Sequence, residues 1–137
     1  MIRKSLAIAA LAGLVAVPAT AHAEPVSPAE SAARAYIAAL LSHNASNVPL
    51  APDAHRVENG VPTGFSGADL KFQLEYGPQY RIITAIYDLT VTTNGDHVDT
   101  HYRLDTGLFG VKLKTAEVTE SFEVPGGLIK EINATFK

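Results

Sequence analysis

The chain has no cysteine, no tryptophan and a single methionine. Without cysteine there is no disulfide staple, no thiolate metal ligand, no thiol nucleophile and no lipid-modified N-terminal Cys, so a hydrophobic core must carry the stability. Basic residues are also scarce: 11 Lys and Arg stand against 14 Asp and Glu, for a net charge of −3. That is the wrong sign for a nucleic-acid binder, and no basic run offsets it. No HExxH motif, closely spaced histidine pair or carboxylate cluster suggests a metal. No glycine-rich phosphate loop or nucleophile elbow is present, so no cofactor is expected. His97 and His101, four apart on a strand, are separated by about 13 Å, too far to share an ion.

What is present begins with Arg3-Lys4, an apolar run from Leu6 to Val17, then Pro18 and Ala21-His22-Ala23. A basic start, an apolar centre and an A-x-A end are the parts of a cleavable secretory signal. The run is too short for the roughly 20 residues that span a bilayer. The expectation is an exported protein, secreted or held in the periplasm or cell envelope, whose domain is residues 24–137 and keeps no membrane anchor. Losing Arg3 and Lys4 leaves that domain at −5.

Ser27-Pro28-Ala29-Glu30 predicts a helix start, with a Ser cap, Pro at the first position and Glu closing a capping box. The helix should run to Ser42 or His43, with Tyr36, Ile37, Ala39, Leu40 and Leu41 on its apolar stripe. Asn44 to Pro52 reads as a connection, and Asp53 to Asn59 as a strand. Ser66 caps a second helix that Gly77-Pro78 ends. The remainder reads as an antiparallel sheet. Asn94-Gly95 predicts a hairpin that pairs Thr93 with Asp96 and opposes Asp88 to His101. In that register Tyr87 shares the core face with Val98, Tyr102 and Leu104, whereas Asp88, His101 and Arg103 face outward. A third strand from about Val111 to Val124 carries Val118, Glu120 and Phe122 on one face, and Pro125-Gly126-Gly127 leads into a last strand.

Four segments in this order resemble the nuclear transport factor 2-like superfamily, with its ketosteroid isomerases and polyketide-cyclase-like members. They are Tyr36-Ile37-Ala38-Ala39-Leu40, Asp53 to Asn59, Gly64-Phe65-Ser66-Gly67, and Glu120 to Val124 with Gly127-Leu128-Ile129. The resemblance covers about residues 28–137. It implies an α+β fold in which a strongly curved antiparallel sheet wraps the N-terminal helices into a cone-shaped pocket. In the isomerases, the place of Tyr36 holds an oxyanion-hole tyrosine and that of Glu120 a neutral carboxylic acid. This is the site type known for environment-tuned carboxyls. Asn59 stands where their general-base aspartate would be, and an amide cannot carry that proton.

The resemblance therefore implies a pocket for a small, largely apolar ligand. Tyr36, Asn59 and Glu120 are its expected polar anchors, and Val57, Phe72, Tyr87 and Phe122 its expected walls. Alternation along the strand puts His55, Val57 and Asn59 on one face, which makes His55 and Glu120 the candidate catalytic groups of an isomerase, lyase or cyclase. Each residue has a plainer reading. Tyr36 suits a core aromatic, Asn59-Gly60 a turn, and His55 a hydrogen-bonded strand histidine. Glu120 suits a partner for Lys130. A third reading is a homodimeric interaction module using Asp88, His101 and Arg103 on the outer face.

Overall fold

Ser27 and Pro28 start the first helix as their chemistry requires. In the computed structural model, which describes residues 25–137, α1 spans Pro28–Ser42 and the Glu30 N–H donates to Ser27 Oγ at 3.1 Å. Only half of the capping box forms, because the Glu30 carboxylate turns to Arg34 Nε at 2.8 Å and accepts from Thr93 Oγ1 at 3.2 Å. The signal segment, residues 1–23, lies outside the described residues.

The chain continues as β1 (Leu50–Glu58), β2 (Val61–Gly64), α2 (Gly67–Tyr76), α3 (Pro78–Arg81), β3 (Ile83–Asn94), β4 (His97–Leu108), β5 (Val111–Glu123) and β6 (Ile129–Phe136). The strands form one open six-stranded sheet in the order β2-β1-β6-β5-β4-β3. Its concave side packs on α1 through Ala29, Ala33, Tyr36, Ile37 and Leu40 against Val98, Val118, Phe122 and Ile132. Tyr36 and Phe122 meet edge to face with ring centroids 5.5 Å apart, a pairing of the order of 1 kcal/mol beyond its area burial.

The α+β architecture is the expected one, with four local differences. The sheet is mixed, not purely antiparallel, because β1 runs parallel to β6. Strand β1 begins at Leu50 and takes in Pro52, earlier than the expected strand start at Asp53. Proline is tolerated because the β1–β6 pairing is interrupted between Leu50 and His55. Pro78 ends α2 but also opens α3, its fixed φ suiting a first helical position. The β3–β4 turn sits on Gly95 and Asp96, flanked by the pair Asn94↔His97, one residue later than expected.

That shift, with an irregularity between Tyr87 and Thr90, changes the β3 register. Thr90 rather than Asp88 opposes His101, and Asp88 sits in the bulge at φ +57. The expected Asp88–His101 pair is not formed. Ile86, Leu89 and Val91 pack on the core, while Tyr87 is carried to the other face, opposite Arg103.

Gly67 sets the seat of α2 on β1. A Cβ there would lie 2.4 Å from the Ala51 carbonyl oxygen, a backbone atom that cannot step aside. Gly67→Ala is expected to cost about 1–3 kcal/mol, read as a lower urea midpoint with an unchanged slope.

Candidate functional site

From Ala54 onward, strand β1 turns its even-numbered side chains inward. Ala54 and Arg56 are buried and Glu58 is partly so, whereas His55 is exposed. This reverses the expected face. The reversal rests on Arg56, whose partners Tyr36, Thr63 and Gln73 lie on the inner side, while Asp53 and His55 stay in water. Arg56 is fully buried and ties five elements together. Its Nη1 donates to the Tyr36 hydroxyl of α1 at 2.9 Å. Nε and Nη2 donate to Thr63 Oγ1 and the Thr63 carbonyl at 3.0 and 3.1 Å, and Nη2 also reaches Gln73 Oε1 on α2. Glu58 Oε2 lies 3.5 Å from Nε and accepts from the Tyr80 hydroxyl at 3.1 Å, and the guanidinium carbon stands 5.2 Å from the centroid of the Tyr80 ring. Burial pulls the Arg56 pKa down, but Tyr36, Tyr80 and Glu58 outweigh it and hold the guanidinium charged.

Beside this network lies a cavity of about 410 Å³. Its walls are mostly apolar, with Leu40, Ile83, Leu104, Val118 and Ala134 among them. Tyr36, Tyr102 and Glu120 line its buried end, and the exposed Gln79, Lys114 and Lys137 its mouth. The Tyr102 hydroxyl donates to Glu120 Oε1 at 2.7 Å. Burial pushes the Glu120 carboxyl up to about 7, against the Tyr102 hydrogen bond that lowers it. Among the described residues, Glu120 Oε2 has no hydrogen-bond partner and the Tyr36 O–H has no acceptor. Burial raises the Tyr36 hydroxyl above its ordinary range despite the nearby Arg56, so it stays protonated. With Arg56 donating to its oxygen, it is a strengthened donor. Two groups able to donate hydrogen bonds thus stand in an apolar recess.

Of the expected anchors, Tyr36 and Glu120 come together here. Lys130 pairs instead with Asp53, Nζ to Oδ2 at 2.7 Å, and leaves Glu120 to the cavity. Asn59 lies at the cavity edge, but its amide is committed elsewhere. Nδ2 donates to the Phe136 carbonyl and Oδ1 accepts from the Phe136 N–H, and Asn59-Gly60 forms the β1–β2 turn at φ +49 and +81. Its turn reading is the observed one.

The remaining expected residues fall elsewhere. His55 is exposed and lines no part of the cavity, so it cannot serve as its base. Val57 points to the outer side of β1, set against Pro62 and Asn133. Phe72 is exposed on α2 beside Tyr76, with centroids 5.1 Å apart. Tyr87 donates to Asp105 Oδ1 at 3.0 Å on the face away from the pocket. Phe122 is a core residue behind Tyr36, not a wall. Arg56, Glu58 and Tyr80 join the site beyond the expected residues. Alternation gives no signal for Arg56 and Glu58, because each face of this segment carries one apolar residue, Ala54 or Val57, among polar ones.

Residues 25–136 match the family described as a domain of unknown function (DUF8021), and the chain belongs to that family. No curated protein matches it. Among solved structures, an LEH-like epoxide hydrolase of M. tuberculosis superposes with a TM-score of 0.66 at 18% identity, covering 80% of this chain and 83% of that one. A nuclear transport factor 2-like protein of Anabaena variabilis gives 0.59 at 18%, covering 80% and 90%. A Catenulispora acidiphila protein with a ketosteroid isomerase-like fold, in complex with trimethylamine, gives 0.60 at 14%, covering 75% and 82%. At these identities the likeness shows the fold, which is nuclear transport factor 2-like.

Two outcomes follow from the buried charges. Arg56→Ala strands Glu58 and unties five elements, and should cost about 3–5 kcal/mol in chemical denaturation. Glu120 binds its proton more tightly folded than unfolded, its pKa rising from 4.5 to about 7. Its contribution is therefore complete below about pH 4.5 and is lost as pH rises through 7. Wild type should lose on the order of a few kcal/mol relative to Glu120→Gln across that window, seen as diverging melting temperatures.

Proposed function

We propose that this domain binds a small, largely apolar molecule carrying one hydrogen-bonding group, such as a carbonyl or hydroxyl. The observation that carries the reading is the cavity of about 410 Å³ with apolar walls and the Tyr36 hydroxyl and Glu120 carboxyl at its buried end. An apolar body gains by leaving water there, and the polar group hydrogen-bonds with Tyr36 and Glu120. Burial raises the Glu120 carboxyl toward neutrality, which lessens the charge set against an apolar ligand.

A second reading, proton transfer on a carbonyl compound, is favoured by one feature: a second carboxyl, Glu58, lines the same cavity beside Arg56. In that reading Tyr36 and Glu120 stabilise the developing oxyanion and Glu58, not His55, moves the proton.

Melting in the presence of steroids, fatty acids and aromatic ketones tests the binding reading. At a hundredfold excess over Kd the stabilisation should reach about 2.7 kcal/mol, and Tyr36→Phe or Glu120→Ala should reduce it. No shift with any class would contradict it. The catalytic reading requires, in addition, turnover that Glu58→Gln abolishes while ligand-induced stabilisation survives.

A further inference from the structure

Four large apolar side chains are exposed within six positions at the β4–β5 turn: Leu108 at 47%, Phe109 at 99%, Val111 at 62% and Leu113 at 55%. Leu108 pairs with Val111, and Phe109 and Gly110 form the turn at φ +52 and +77. The β1–β2 turn has nearly the same geometry, with φ +49 and +81, and uses Asn59-Gly60. Asparagine tolerates the left-handed region, whereas a bulky phenylalanine there is strained. The fold therefore accepts at position 109 a residue that disfavours the turn and sits wholly in water. Neither hairpin formation nor core packing explains it.

The charges on the tip itself are positive, with Asp105 at its base. Thr106 to Thr115 contains Lys112 and Lys114 and no acid, in a chain of net charge −3. Lys112 is 62% exposed, with Asp105 Oδ1 at 3.7 Å, and Lys114 makes no ion pair among the described residues. An apolar wedge bordered by cations fits a surface that is apolar inside and anionic at its face. A second copy of the chain fits poorly. A two-fold contact through a convex tip buries little area and sets these lysines against themselves.

We propose that the β4–β5 tip is a peripheral docking site for an anionic lipid bilayer. Leu108, Phe109, Val111 and Leu113 enter the interface, and Lys112 and Lys114 meet the headgroups. The cavity mouth shares Thr106 and Lys114 with this hairpin, so docking sets it beside the lipid.

Co-sedimentation of the protein with vesicles tests this, using phosphatidylcholine alone and phosphatidylcholine with phosphatidylglycerol at two to one. Wild type should partition to the anionic vesicles and release in high salt. Phe109→Asn, which gives the tip the Asn-Gly pair of the β1–β2 turn, should keep or raise the melting temperature and weaken partitioning about tenfold. Lys112→Glu with Lys114→Glu should weaken it by about thirtyfold or more. The proposal is overturned if wild type ignores anionic vesicles or binds neutral ones equally well. It is equally overturned if the folded Phe109→Asn variant binds as wild type does. Self-association abolished by Phe109→Asn, without vesicle binding, would assign the tip to a second copy instead.

Discussion

The buried guanidinium of Arg56 is the constraint on which this structure depends. A charge removed from water must be answered on all sides, and Tyr36, Glu58, Thr63, Gln73 and Tyr80 answer it from α1, β1, β2, α2 and α3. The wall of the cone is thus held by a polar hub as much as by apolar contact. The same hub organises the site. By donating to the Tyr36 oxygen, Arg56 fixes that hydroxyl beside the cavity and leaves its proton for whatever enters. By holding Glu58 it keeps one carboxylate paired, while burial pushes the Glu120 carboxyl, which accepts from Tyr102, up to about 7.

These features set the chemistry the cavity can accommodate. Leu40, Ile83, Leu104 and Val118 offer dispersion and the release of water, without directional preference. Direction comes from Tyr36 and Glu120 at the buried end. A ligand without a polar group would leave both donors unsatisfied, and a ligand charged along its length would face apolar walls. The mouth is different in character, with Gln79, Lys114 and Lys137 in water.

Much of the fold was legible because its signals are local. Ser27-Pro28 starts α1 and Ser66 starts α2, each with its capping hydrogen bond. The alternation of Val118, Glu120 and Phe122 placed Glu120 inward, as observed. What was not legible depends on irregularities one residue wide. A turn on Gly95-Asp96 moved the β3–β4 register, and a bulge at Asp88 reversed the face of Tyr87, since the side-chain period of a strand is 2. On β1 both faces carry polar residues, so alternation could not say which was buried. A buried arginine becomes intelligible only when its partners, distant in sequence at Tyr36, Gln73 and Tyr80, are assembled around it. Asn59 illustrates a further limit: a match to a catalytic place in a related fold is also a turn signal, and the turn claims the side chain.

The central claim is that the apolar cavity, oriented by Tyr36 and Glu120, is where a small molecule binds. Titrating isotopically labelled protein with steroids, fatty acids and aromatic ketones, and mapping amide and tyrosine ring shifts by NMR, tests it most directly. The account predicts saturable shifts concentrated at Tyr36, Tyr102, Val118 and Glu120. Shifts confined to the outer sheet face or to the α2 aromatics Phe72 and Tyr76, or none with any of these classes, would contradict it.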